Sequence, residues 1–186
     1  MKKVDGYEDA KENQGGEFER LPAGGYVCKI KSVENVLDRQ YLKIEFDITE
    51  GQYRGWYTGI YKRTGSWYGS FIRSYKDSAV SFFKGLMTAV EESNPGYKWD
   101  WTEQSLVNKN VGLVLGYEEY ISSKDNKKKE RVYVFQNRSV TAIKAGDFTV
   151  PELKKLKLEN GSGEWIPPGE SDAPAGMQET NKPLPF

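Results

Sequence analysis

The side chains of this 186-residue chain best suited to chemistry are aromatic rings interleaved with cations. Between positions 53 and 76 the rings are Tyr53, Trp56, Tyr57, Tyr61, Trp67, Tyr68, Phe71 and Tyr75, and the cations are Arg54, Lys62, Arg63, Arg73 and Lys76. An exposed ring is a platform on which an unpaired base stacks, worth roughly 1–3 kcal/mol. Neighbouring cations neutralise phosphates. The cluster predicts a surface for single-stranded nucleic acid, and packing of the same rings in a core is the alternative.

More cations fall where a hairpin and two strands are predicted. A polar run between the last two main strands carries five of them, and a solvated hairpin tip is the alternative interpretation of this run. Further lysines lie on the polar faces of the first two strands, and the loop 35–40 between those strands adds one arginine. The predicted nucleic-acid-binding residues are Lys29, Lys31, Arg39, Lys43, Arg54, Trp56, Tyr57, Tyr61, Lys62, Arg63, Trp67, Lys124, Lys127, Lys128, Lys129 and Arg131.

Catalytic machinery is sparse in the composition. The chain has no histidine and one cysteine, which removes Ser-His and Cys-His nucleophiles and the usual zinc sites. Of the carboxylate pairs, Glu118 and Glu119 are neighbours in a predicted strand and should face opposite ways. Cys28 alternates with core positions, which predicts a buried packing role. We therefore expect no enzymatic activity, no cofactor and no metal.

Charge divides the chain into three parts. Residues 21–159 hold 22 bases and 17 acids, whereas 1–20 carry a net charge of −2 and 160–186 a net charge of −3. Gly and Pro make up a third of the last segment, which is typical of disorder. We predict a flexible arm over 1–20, a binding domain over 21–159 and a disordered tail over 160–186. With no signal peptide and no apolar run of membrane length, a cytoplasmic protein without membrane association is expected.

Hydrophobic periodicity predicts a mainly β domain. Strands are predicted at 26–33, 41–48, 53–63, 111–120 and 130–137, a helix at 77–92, a short helical turn within 97–106, an extended piece at 140–143 and a closing helix at 150–158. Three strands, a helix and two strands are the order of a five-stranded Greek-key OB barrel, which has its helix between strands 3 and 4. A β-sandwich with one helix is the alternative fold.

Several stretches resemble phage-encoded single-stranded DNA-binding proteins. They are the start at 22–26, the strand 42–48, the helix through Phe82-Phe83-Lys84 and the strand end Phe135-Gln136-Asn137. The resemblance implies an OB-fold module that coats single-stranded DNA in replication or recombination, in the cytoplasm of a bacterial host. Two alternatives stay open: a β-sandwich that binds a carbohydrate through its aromatics, and a nuclease accessory that uses carboxylates and a metal.

The last residues carry a second resemblance. Leu184-Pro185-Phe186 is similar to the aliphatic-Pro-Phe tip with which bacterial and many phage single-stranded DNA-binding proteins recruit partners. Asn181, Lys182 and Pro183 stand where such tails commonly carry aspartates. The resemblance implies that this tip binds replication or recombination proteins. Single-stranded DNA, these proteins and a second copy of the chain are the expected partners.

Overall fold

The computed structural model describes residues 20–123 and 125–156. The predictions made for the arm, for Lys124 and for the tail with its Leu184-Pro185-Phe186 tip lie outside these residues. The strands are β1 (Gly24–Val36), β2 (Tyr41–Ile48), β3 (Ser70–Ser74), β4 (Asn110–Ile121) and β5 (Lys128–Arg138), and the α-helices are α1 (Trp56–Thr64), α2 (Val80–Ser93) and α3 (Val140–Ala145). Short 3-10 turns occupy Leu37–Arg39, Asp77–Ala79 and Glu103–Leu106.

The five strands form one sheet in the order β3-β2-β1-β4-β5, and every neighbouring pair is antiparallel. With α2 between β3 and β4, this is the strand order of an OB fold. Among the described strands no ladder joins β3 to β5, so the barrel is not closed. The prediction of a mainly β, OB-like Greek-key domain is confirmed.

Strand β1 is the central strand of the sheet and pairs with both β4 and β2. Its first part, from Gly24 to Lys29, pairs with β4, and its stretch from Cys28 to Val36 pairs with β2. The register with β2 shifts between Ile30 and Ser32, which leaves Lys31 in a bulge. A bulge increases the local twist and bends the strand. β1 can therefore curve from one partner to the other.

The core follows the alternation read from the sequence. Leu42, Ile44, Phe46 and Ile48 of β2 are all buried, and the apolar stripe of α2 packs against them. Cys28 is fully buried in the same core, as predicted. Burial raises the pKa of its thiol well above the usual value, so the reactive thiolate is suppressed.

Helix α3 covers the opposite face of the sheet. The prediction of an extended piece at 140–143 is wrong, because these residues belong to this helix. Ser139 caps this helix, because its hydroxyl accepts a hydrogen bond from the amide of Ala142 at 3.3 Å. Ile143 then packs on Val27 and Val114. A side chain at Gly112 would collide with Ile143, so close packing requires glycine there.

Two further predicted elements are wrong. The third strand expected at 53–63 is helix α1, and β3 begins only at Ser70. Gly55 and Gly65 flank this helix with φ values of +73° and +70°, a left-handed conformation that favours glycine. The closing helix expected at 150–158 is absent over 150–156, where Lys154 instead bridges in parallel to Glu118 of β4. No helix of the described residues is long and apolar enough to span a bilayer.

Candidate nucleic-acid interface

Helix α1 is held against the end of β2 by one buried carboxylate. Asp47 is only 6% exposed, and its Oδ1 accepts hydrogen bonds from the amides of Ile48 at 2.9 Å and Tyr57 at 3.0 Å. Its Oδ2 accepts from the Thr58 amide at 3.2 Å and from the Thr58 hydroxyl. These bonds satisfy donors at the start of the helix that have no intrahelical partner. Asp47 thus fixes the first turn of α1 against the end of β2.

The first rings of the predicted cluster are structural. Tyr57 is 5% exposed and its ring meets Phe46 edge to face at 5.2 Å, so it lies in the core and is not accessible to a base. Burial raises the pKa of its hydroxyl far above the usual value. Trp56 is half-buried against Tyr53 at 5.5 Å. Trp56 and Tyr53 pack against the hydrophobic core, to which Tyr57 belongs.

The next rings and cations of the cluster lie on the solvent side of α1 and just after it. Tyr61 is 50% exposed and its ring lies 6.0 Å from that of Trp67, which is fixed by a 2.9 Å hydrogen bond from its Nε1 to the carbonyl of Gly69. Lys62 and Arg63 are exposed, and neither side chain has a hydrogen bond or ion pair within the described residues. Tyr61, Lys62, Arg63 and Trp67 are called the helix surface below. Arg54 is similarly exposed just before it.

The hairpin between β4 and β5, called the lysine hairpin, carries Lys127, Lys128, Lys129 and Arg131. Three of these four cations form ion pairs with nearby carboxylates. Lys128 pairs with Glu119 at 2.8 Å, Lys129 with Asp125 at 2.8 Å and Arg131 with Glu118 at 2.7 Å. Glu118 and Glu119 therefore engage separate cations, in agreement with the prediction that they diverge. The hydrogen bond from Lys128, and then that from the Leu156 amide, lower the pKa of Glu119. Lys127 is exposed and has no side-chain partner in the described part of the chain.

The remaining predicted cations lie on β1 and β2 and the turn that joins them. Lys43 is exposed 3.9 Å from Glu34 of β1, and Lys31 projects from the bulge. Lys29 is half-buried, and register places it opposite Asp47. Arg39 is exposed in the 3-10 turn 37–39.

Strand register decides which of these groups lie together. β4 continues past the start of β1, because Leu115 pairs with Gly24, and it ends in the lysine hairpin. α1 follows the end of β2, where Ile48 pairs with Cys28, so it lies toward the same end of β1. Arg39 follows the opposite end of β1. The loop that carries Arg39 and the lysine hairpin are thus at opposite ends of this strand, whereas the helix surface and the hairpin share an end.

The prediction omitted a second aromatic group. Trp99 and Trp101 have ring centroids 6.2 Å apart in the loop before the 3-10 turn 103–106. The signal was the Trp-Asp-Trp sequence at 99–101 soon after Pro95-Gly96, where a turn leaves few core positions for large rings.

Two carboxylates fasten this loop, because Glu91 and Asp100 accept hydrogen bonds from its residues. Hydrogen bonds from Lys98 and the Trp99 amide lower the pKa of Glu91, and bonds from Ser105 and the Thr102 amide lower that of Asp100. A pKa lowered on folding contributes stability that is present above the unfolded pKa and lost as pH falls through the folded value. We expect tryptophan emission to shift below about pH 4. In Asp100→Asn a smaller acid-induced shift is expected, and an identical titration would contradict the assignment.

The described residues contain no group of three or more His, Cys, Asp or Glu side chains arranged to hold a metal ion. Comparison of the sequence with known families gives no matching family model, and no curated protein matches it significantly.

Proposed function

We propose that this chain binds single-stranded DNA with little sequence preference and coats it during phage-type replication or recombination. The observation that carries the proposal is the helix surface, where two contacting rings are flanked by two cations that have no partner among residues 20–123 and 125–156. The OB strand order supports it, since OB folds commonly bind oligonucleotides.

In the proposed mechanism the rings contact the bases and the cations contact the phosphates. Unpaired bases stack on Tyr61 and Trp67, and because every base has a π-face this contact does not select sequence. Lys62, Arg63 and Arg54 neutralise phosphates and release counterions. None of these three cations pairs with a carboxylate in the part of the chain that the structure describes, so they are available for DNA there.

The experiment that tests the function is a titration of fluorescein-labelled oligo-dT with the protein, followed by anisotropy at several salt concentrations. The logarithm of affinity should fall with the logarithm of salt by about 0.7 per neutralised phosphate. Duplex of equal length should bind more weakly, because its stacked bases are not available to the rings. Equal affinity for duplex, or a flat salt response, contradicts the proposal. Salt-insensitive oligosaccharide binding or magnesium-dependent cleavage would favour the two alternatives instead.

The charge pairing predicts which cations dominate the salt dependence. Lys62→Ala combined with Arg63→Ala should reduce the salt slope by about 1.4, the contribution of two phosphates. Replacing Lys127, Lys128 and Lys129 with alanine removes one more charge but should reduce it by only about 0.7, because two of these lysines are engaged by carboxylates. The slopes follow from the same anisotropy titrations. A larger change in the hairpin variant would show that its ion pairs open to DNA.

The segment after residue 156 adds a proposed recruitment role. The described chain ends beside the lysine hairpin, where the Leu156 amide donates to Glu119 at 3.0 Å. The acidic segment that follows would carry the Leu184-Pro185-Phe186 tip to replication or recombination proteins. An aliphatic-aromatic pair such as Leu184 and Phe186 suits a small apolar pocket on a partner protein.

A further inference from the structure

Trp101 is an exposed ring that the fold holds outward. It is 80% exposed, and its backbone has a φ of +65°, a left-handed conformation that is uncommon for a bulky residue. Because the ring is exposed, the free energy of burying it does not offset the strain of this backbone conformation. Strained backbone conformations cluster at ligand-binding sites.

The loop around Trp101 is preformed. The carboxylate of Asp100 accepts hydrogen bonds from the Thr102 amide at 3.0 Å and the Ser105 hydroxyl at 2.8 Å. The Trp99 amide donates to Glu91 of α2 at 2.9 Å. Asp100, although next to Trp101 in sequence, is therefore occupied by the loop's own donors.

A chain of ring contacts connects Trp101 to the core. Trp101 lies against Trp99, and Trp99 meets the buried Phe83 of α2 edge to face at 6.2 Å. Phe83 in turn contacts Tyr75, whose hydroxyl donates to Asn35 at 2.9 Å. Because the ring is supported from below, a stacking partner would lose little entropy in ordering it.

Cations border this loop. Lys98 is exposed and pairs with Glu91 at 2.8 Å, and Lys109 lies over the ring of Tyr97 at 4.5 Å. The segment after the loop is bonded to β1 beside its bulge, because the Asn108 amide donates to the Ile30 carbonyl at 2.9 Å. The exposed Lys31 follows Ile30 directly. Lysines thus lie on the segments before and after this loop and on the strand to which the following segment is bonded.

We propose that Trp101, backed by Trp99, stacks an unpaired base and forms a second contact surface for single-stranded DNA. This inference rests on the proposed function. The 3-10 turn that follows the loop contacts the later part of β1, where the Gln104 side chain donates to the Val33 carbonyl at 3.2 Å. The helix surface lies toward the start of that strand. One DNA strand that engages both surfaces would follow β1.

The test compares Trp101→Asn with the wild type in labelled oligo-dT binding. Asparagine tolerates the left-handed conformation, so the ring is lost with no expected fall in melting temperature. Binding should weaken roughly 5- to 150-fold, the effect of one stacked base. Trp101→Phe should bind within about 3-fold of wild type, because it keeps a π-face. Leu37→Asn, at another large apolar residue that is 71% exposed, is the control and should leave affinity unchanged.

The outcomes separate this inference from the proposed function. A wild-type protein that does not bind oligo-dT overturns both. A wild-type protein that binds, with Trp101→Asn of equal affinity, overturns only the second surface. If Trp101→Asn lowers the melting temperature, Trp101→Leu and Trp101→Phe are compared well below both transitions, and equal affinities of that pair overturn the stacking role.

Discussion

Replacing Tyr61 and Trp67 together with alanine is expected to weaken oligo-dT binding by at least roughly 30-fold at every salt concentration, since two stacked rings at about 1–3 kcal/mol each contribute at least about 2 kcal/mol. The salt slope should stay within error of the wild type, because Lys62 and Arg63 remain. The ring of Tyr61 is half exposed, whereas Trp67 packs against the hydrophobic core and its Nε1 donates to the Gly69 carbonyl, so the melting temperature should also fall. Anisotropy titrations and thermal unfolding of the same preparations measure both quantities.

Tyr68→Ala is the matched control for this double variant. Tyr68 is an exposed ring adjacent in sequence to Trp67 but has no ring contact with it. Its removal should change affinity much less than removal of the Tyr61 and Trp67 pair. If the double variant melts earlier yet binds oligo-dT as well as the wild type, the two rings are packing residues and the helix surface is not the DNA-binding site.

Asp47→Ala is expected to lower the free energy of unfolding by about 2–4 kcal/mol. The substitution leaves three backbone amides and the Thr58 hydroxyl without their acceptor, two of these amides in the first turn of α1. Because α1 carries Tyr61, Lys62 and Arg63, oligo-dT affinity should fall with it. Urea unfolding followed by circular dichroism gives the stability, and anisotropy gives the affinity.

A graded series of variants distinguishes the loss of the hydrogen bonds that Asp47 accepts from a general loss of packing. Thr58→Val removes only the hydroxyl donor and should cost about 1 kcal/mol, with DNA binding nearly retained. Asp47→Asn keeps one oxygen acceptor and should fall between the two. An Asp47→Ala protein as stable as the wild type would show that neighbouring groups or water replace the cap.

Periodicity in the sequence was enough to predict the elements whose hydrophobic pattern is local. β2 alternates without interruption, so Leu42, Ile44, Phe46 and Ile48 had to share one face. In α2, Phe83, Leu86 and Val90 recur at helical spacing and share the buried side. The order of these elements then left few topologies, and the OB-like sheet was among them.

A strand was predicted where the structure has helix α1, because part of what stabilises this helix lies outside its own sequence. Tyr, Trp and Ile favour strands, and the stretch 53–63 is rich in them. Against that preference stand two flanking glycines and the carboxylate of Asp47, which belongs to the preceding strand. Whether Asp47 reaches the amides of α1 depends on how the chain turns after Ile48, and residue pattern does not encode that turn.

The sequence by itself determined a mainly β domain with a basic, ring-rich segment, because composition and periodicity are properties of the chain. Only the tertiary structure decided which rings and cations are available. Tyr57 and Tyr61 are the same residue type one helical turn apart, yet only Tyr57 faces Phe46 and is buried. Lys62 is free within the described fold and Lys128 is paired, because strand register brings Glu119 close to Lys128. Burial and pairing depend on residues distant in the chain, and those distances exist only after folding.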